Sequence, residues 1–236
     1  MRGEDNACTV ELCGLPGAGK SFLAQSLAEH LAAHGVRVAQ PLAAVAPTRP
    51  RGRRLVAKLW IAVRELAFAP LGSVRALAAI HRSGQPLRDV LHRSLNWLVV
   101  RGLYRRARRG PGVHVFEQGI VQELCSIGYE GDWRPCLAVA GPGGARLGPD
   151  VLISVAAPIE TAARRVEVRP GMQSRIERLG PAARRGELGR QADALATIEK
   201  AWLERYGGIL GTRRIEVRND GERLTETLQT LTAAVI

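Results

Sequence analysis

Ala7-Cys8-Thr9-Val10-Glu11-Leu12-Cys13-Gly14-Leu15-Pro16-Gly17-Ala18-Gly19-Lys20-Ser21 is the stretch that decides the fold. Its first half, Ala7 to Leu12, reads as a buried strand. Its second half fits G-x-x-x-x-G-K-[ST], a turn whose glycines let backbone N–H groups point inward at phosphate oxygens. Beyond it, Leu23, Leu27 and Leu31 recur at four-residue spacing, the apolar stripe of a helix from about Lys20 to His34. Gly35 closes that helix, and Val36 to Ala39 reads as a second short strand. Strand, glycine turn and helix in this order are the context that a phosphate-binding P-loop requires.

The P-loop sets the first site residues. Gly14, Pro16, Gly17, Ala18, Gly19, Lys20 and Ser21 are expected to hold the triphosphate of ATP. Lys20 is expected at the β- and γ-phosphates, and Ser21 on Mg²⁺. The motif is specific for nucleotide binding and silent about the reaction.

Working outward, strands alternate with helices. Val113 to Phe116, Asp150 to Ala156 and Ile215 to Val217 read as further strands. Helices are expected from Pro158 to about Arg169, from about Gln191 to Tyr206, and from about Gly221 to the end. The fold class is therefore α/β, a three-layer α/β/α P-loop architecture on a parallel sheet of about five strands. One domain is expected over residues 1–236. A helical insertion on the acceptor side covers about 41–110, and an arginine-rich mobile lid about 169–190. In such sheets ligands lie beyond the carboxyl ends of the strands, so the P-loop and Glu117 should share one crevice. Glu117 could position Mg²⁺ through water or act as a general base on an acceptor hydroxyl.

Composition narrows the class. The chain has 236 residues, 46% of them hydrophobic, enough for a single buried core. No run of about 18 apolar residues appears, so no membrane span is expected. The start Met1-Arg2-Gly3-Glu4-Asp5 reads as neither a signal nor a transit peptide, and the four cysteines read as reduced thiols. Together these give the expectation of a cytoplasmic protein. The net charge is +12, yet only three of the 34 basic residues are lysines. An arginine bias of this kind follows from base composition as readily as from function. Aromatic residues at 4% are poor for stacking on bases, so nucleic acid is a disfavoured partner. The run Arg101 to Arg109 reads as a solvated helix face.

The order of P-loop, strand ending in an acid, proline-led helix with arginines, and lid arginine resembles the P-loop nucleoside and nucleotide kinases. Thymidylate kinase is the nearest in layout. Its helix and lid pattern P-E-x-x-L-x-R-x-x-x-R-x-x-x-D-R-I-E has its counterpart in Pro158 through Arg165 and Arg169 to Ser174-Arg175-Ile176-Glu177. The resemblance covers about residues 7–39, 113–125 and 150–236. It implies a kinase moving the γ-phosphoryl group of ATP, with Arg165, Arg169 and Arg175 on phosphates and Arg218-Asn219-Asp220 near the adenine. It also implies a small-molecule acceptor and, by analogy, a homodimer. Thymidylate kinases carry Asp-Arg after the third strand and deoxynucleoside kinases Glu-Arg-Ser; this chain has Glu117-Gln118-Gly119. A glutamine lacks the charge and fork that grip an acceptor phosphate, which tilts the reading toward a hydroxyl acceptor. Two other readings stay open: a nucleotide-dependent switch or ATPase module binding an acidic macromolecule, and a polynucleotide end kinase.

Overall fold

The computed structural model describes residues 7–46, 50–141, 147–168, 175–219 and 224–236. Five strands form one parallel sheet in the order β2-β3-β1-β4-β5. They are β1 (Ala7–Gly14), β2 (Val38–Ala39), β3 (Gly112–Phe116), β4 (Val151–Ala156) and β5 (Arg213–Arg218). The central strand β1 pairs with β3 through Glu11 opposite Phe116, and with β4 through Gly14 opposite Val155. All five strands therefore end at the same edge, and the expected three-layer α/β/α class is the one observed.

The alternation along β1 divides the core in two. Cys8, Val10 and Leu12 face a cluster built with Leu23, Leu27 and Leu31 of α1 (Lys20–Ala33). The same cluster takes in Ala162 and Val166 of α7 (Ile159–Glu167) and Leu228 and Leu231 of α10 (Leu224–Val235). On the other face lie α4 (Leu87–Ala107), α5 (Ile120–Gly128), α6 (Arg134–Ala140) and α8 (Pro181–Trp202), whose largest buried side chains are Trp97, Tyr104, Leu124 and Trp202. The short α9 (Gly208–Leu210) follows α8 through a π-turn at Leu203–Gly207. Two further helices, α2 (Arg51–Phe68) and α3 (Pro70–His81), stand outside α4.

Several expected boundaries move. Among the described residues the insertion after β2 holds a 3-10 turn, Pro41–Val45, and three α-helices broken at Ala69 and again at residues 82–86. Helix α8 begins at Pro181, ten residues before the expected Gln191, so the second half of the expected lid is regular helix. Pro181 occupies the first helical turn, where its missing N–H is not needed, and Arg184 and Leu188 bury one side of that turn. The guanidinium of Arg184 meets Glu167 of α7 at 3.5 Å and the Leu179 carbonyl at 3.0 Å, which pins the start of α8.

The run Arg101 to Arg109 is not a solvated face, and that expectation is corrected. Arg101 and Arg105 bracket the buried carboxylate of Glu65 on α2, with Nε–Oε distances of 3.2 and 2.9 Å. Arg108 closes on Asp150 at 2.7 Å. The spacing of these three arginines places them on one side of α4, where they fasten α2 and the entry to β4. Replacing Glu65 by Ala would strand two arginines against the core. It is expected to destabilise the protein by about 3 kcal/mol in urea unfolding. A loss below about 1 kcal/mol would show that this pairing does not hold α2 in place.

Candidate phosphate-binding site

The loop from β1 into α1 is shaped by what its glycines exclude. A Cβ on Gly14 would stand 2.5 Å from the Val155 carbonyl oxygen, and one on Gly17 2.4 Å from that of Ala162. Gly17 and Gly19 also take φ of +82° and +93°, a region that favours glycine. The loop is thus pressed onto β4 and α7. Helix α1 starts at Lys20 with no side-chain cap and no acidic residue in its first turn. Its N-terminal N–H groups and positive dipole end stay available for an anion. Lys20 folds back over the loop and donates to the carbonyls of Gly14 at 2.7 Å and Leu15 at 3.0 Å. Ser21 is exposed in the first turn of α1.

Two expected site residues meet at this loop. Asn219, just past β5, donates its side-chain amide to the Ala18 carbonyl at 2.8 Å and its backbone N–H to Ala156 at 2.9 Å. Its amide nitrogen occupies the space that a Cβ on Gly19 would need. Arg165 of α7 donates to the Asn219 carbonyl at 3.4 Å and comes within 3.7 Å of the Gly19 Cβ position. Glu117 is half-buried one residue past the end of β3, on the same sheet edge. Arg169 lies outside the described residues. Arg175 opens a short 3-10 helix, Arg175–Arg178, and its side chain lies outside them too.

The support behind the loop comes from residues that no local motif marks. Glu11 is fully buried in β1. Its carboxylate accepts from the Tyr104 hydroxyl at 2.6 Å and from the Gln122 backbone N–H at 2.9 Å, so it caps the start of α5 from a neighbouring strand. Gln122 in turn accepts from the Gly14 backbone N–H at 3.0 Å. Gly119 is dictated by this arrangement, since a Cβ there would stand 2.2 Å from Glu11 Oε2. Burial raises the Glu11 carboxyl from its ordinary 4.5 to about 7, against the lowering effect of Tyr104 and the α5 N–H groups. A lone acid between Val10 and Leu12 in an apolar strand was the signal available in the sequence.

A second group missed lies on the insertion side. Glu123 of α5 is buried, with Oε2 unpartnered among the described residues. Burial raises its pKa, opposed by the charges of Arg93 and Lys58. Lys58 of α2 donates to Asn96 of α4 at 2.8 Å, and burial lowers its pKa. These residues bring charge from three helices to one place beside the N-terminal turn of α5.

No family model matches the sequence, and no curated protein matches it. Among solved structures, thymidylate kinase from Ehrlichia chaffeensis superposes with a TM-score of 0.53 at 10% identity, over 98% of this chain and 100% of that one. The likeness is one of fold: a five-stranded parallel sheet with helices on both faces. A deoxyadenosine kinase from M. mycoides with dCMP and dCDP bound matches 96% of this chain and 97% of its own at 10% identity, with a TM-score of 0.46. In this fold the glycine loop, Lys20, Arg165 and Asn219 are brought together by the topology itself. No described helix is long and apolar enough to cross a membrane, and no group of three metal-ligating side chains forms among the described residues.

The raised Glu11 carboxyl fixes the sign of a pH effect. A folded-state pKa above the unfolded value stabilises the fold below about pH 4.5, and that contribution is lost as pH rises through about 7. Glu11→Gln mimics the protonated form. Relative to this variant, the wild type is expected to lose on the order of 3 kcal/mol between pH 5 and pH 8 in urea unfolding. An equal difference between the two proteins at both pH values would contradict the assignment.

Proposed function

We propose that this protein is an ATP- and Mg²⁺-dependent phosphotransferase that moves the γ-phosphoryl group to a hydroxyl of a small molecule. The observation that carries the reading is the uncapped start of α1 under a glycine cradle, with Lys20 folded over it and Arg165 beside it. The kinase fold supports it. In phosphoryl transfer the protein contributes mainly positioning and charge. Lys20, held on two loop carbonyls, is a cation able to turn to phosphate oxygens without leaving the loop. Arg165 adds a second cation at the same place, and Arg169 and Arg175 would add more from the lid.

The residues present fit a magnesium ion: the exposed Ser21 hydroxyl at the helix start would be the direct ligand, and Glu117 would hold it through water. When bound, the ion neutralises charge on the phosphates. Alternatively Glu117 would take the proton of the acceptor hydroxyl as the new O–P bond forms and the bond from the γ-phosphorus to the departing ADP breaks.

The acceptor would sit on the insertion side, against Lys58, Arg93 and Glu123. A cation pair with a buried carboxylate suits a polar hydroxyl compound, able to accept from Lys58 and Arg93 and donate to Glu123. The absence of an arginine at Gln118 agrees with an acceptor that carries no phosphate. The folded chain is proposed to be a single kinase domain acting on a small molecule in the cytoplasm, with ATP as donor.

The test is transfer of label from γ-labelled ATP, with Mg²⁺, to a panel of nucleosides, nucleoside monophosphates, sugars and an oligonucleotide. Label is expected on one small hydroxyl acceptor. Lys20→Ala is expected to reduce transfer at least about 100-fold while leaving thermal unfolding nearly unchanged. Full activity in that variant would overturn the proposal. So would label released only as phosphate and only with a macromolecule present, the behaviour of a switch.

A further inference from the structure

Helix α2 is apolar outward as well as inward. Its inner side packs Ala57, Ile61 and Ala62 on the core and carries Lys58, half-buried on Asn96, and Glu65, buried on Arg101 and Arg105. Its outer side carries Leu55, Val56, Leu59, Trp60 and Val63, all exposed, with Trp60 at 63%. An amphipathic helix on a water-facing surface carries polar side chains on that side. The apolar positions follow the i, i+3, i+4, i+7 spacing, so they form one continuous stripe. Leu71 and Val74 of α3, which begins two residues after Phe68, are exposed as well. A patch of this kind marks a docking surface.

The charge around it selects the occupant. Between residues 50 and 88 the only acid is Glu65, and it is already spent on two arginines. The same segment exposes Arg51, Arg53, Arg64, Arg75, Arg82 and Arg88. A two-fold contact between two copies would bring these arginines onto each other with no free acid of the same segment to receive them. An apolar stripe with a tryptophan, flanked by arginines, is instead the pattern of a helix lying in the interface of an anionic bilayer. Long arginine stems there keep the guanidinium among the headgroups while the methylenes lie on the apolar side. The helix is too polar to cross a membrane, in keeping with a surface position.

We infer that the outer face of α2, with the start of α3, docks this protein on an anionic phospholipid surface. The attachment is peripheral: Leu59, Trp60 and Val63 enter the acyl boundary, and Arg53 and Arg64 meet phosphate groups.

Co-sedimentation of the whole chain with phosphatidylcholine vesicles, with and without about one-third phosphatidylglycerol, tests the inference. The protein is expected on the anionic vesicles only, with binding that weakens as salt rises. Leu59→Ser with Trp60→Ser, and separately Arg53→Glu with Arg64→Glu, are expected to weaken binding about tenfold or more, with thermal unfolding kept. A folded wild type that ignores anionic vesicles would overturn it. So would binding that both double variants retain. A wild-type dimer that Leu59→Ser with Trp60→Ser turns into a monomer, with no vesicle binding, would give the face to a second copy instead.

Discussion

One buried acid backs the entry to the glycine loop. Glu11 lies in the middle of the central strand, takes the Tyr104 hydroxyl from one helix and caps the N-terminus of another. That cap sets α5, α5 sets Gln122, and Gln122 holds the Gly14 N–H at the entry to the glycine loop. Removing a carboxylate from water is costly, and here hydrogen bonds from Tyr104 and from α5 offset part of the cost. Its neighbours on the same face act alike. Thr9 ties to Asp150 at 3.0 Å, and Cys13 to Glu199 at 2.9 Å. Glu199 also takes Ser154 at 2.7 Å and Arg214 at 3.1 Å, joining α8 to β4 and β5. One side of β1 is thus a polar seam and the other an apolar wall. The seam fixes directions that an apolar contact would leave free to slide.

The same contrast explains what could be read from residues alone. The glycine loop was legible because its spacing is a consequence of local backbone geometry: residues 14–21 must form that turn to expose those N–H groups. The alternation of strands and helices was legible because burial imposes its periods. Glu11 was hidden because its partners, Tyr104 and Gln122, are about a hundred residues away. The role of Gly119 was hidden for the same reason, since the space it leaves is filled by a side chain from another strand. Helix α8 was read as starting late because Arg- and Gly-rich composition looks like loop. Its first turn is made helical by Pro181 at the start and by Arg184 packed on α7.

The arginines divide into two populations that composition cannot separate. Arg101, Arg105 and Arg108 are structural, each facing an acid that belongs to another element. Arg165 is drawn to the glycine loop through Asn219. Those exposed on α2 and α3 lie in a stretch, residues 50–88, whose sole acid is Glu65. A net charge of +12 is therefore no property of one site. It is the sum of internal fasteners, a candidate phosphate clamp and an outward basic surface.

Whether the glycine loop and Lys20 form the triphosphate seat is decided by a crystal structure of the protein with Mg²⁺ and a non-hydrolysable ATP analogue. Phosphates are expected on the N–H groups of residues 17–21, with the Lys20 ammonium moved from the Gly14 and Leu15 carbonyls onto phosphate oxygen. A nucleotide bound elsewhere, or Lys20 still closed on those carbonyls beside a bound nucleotide, would contradict that assignment.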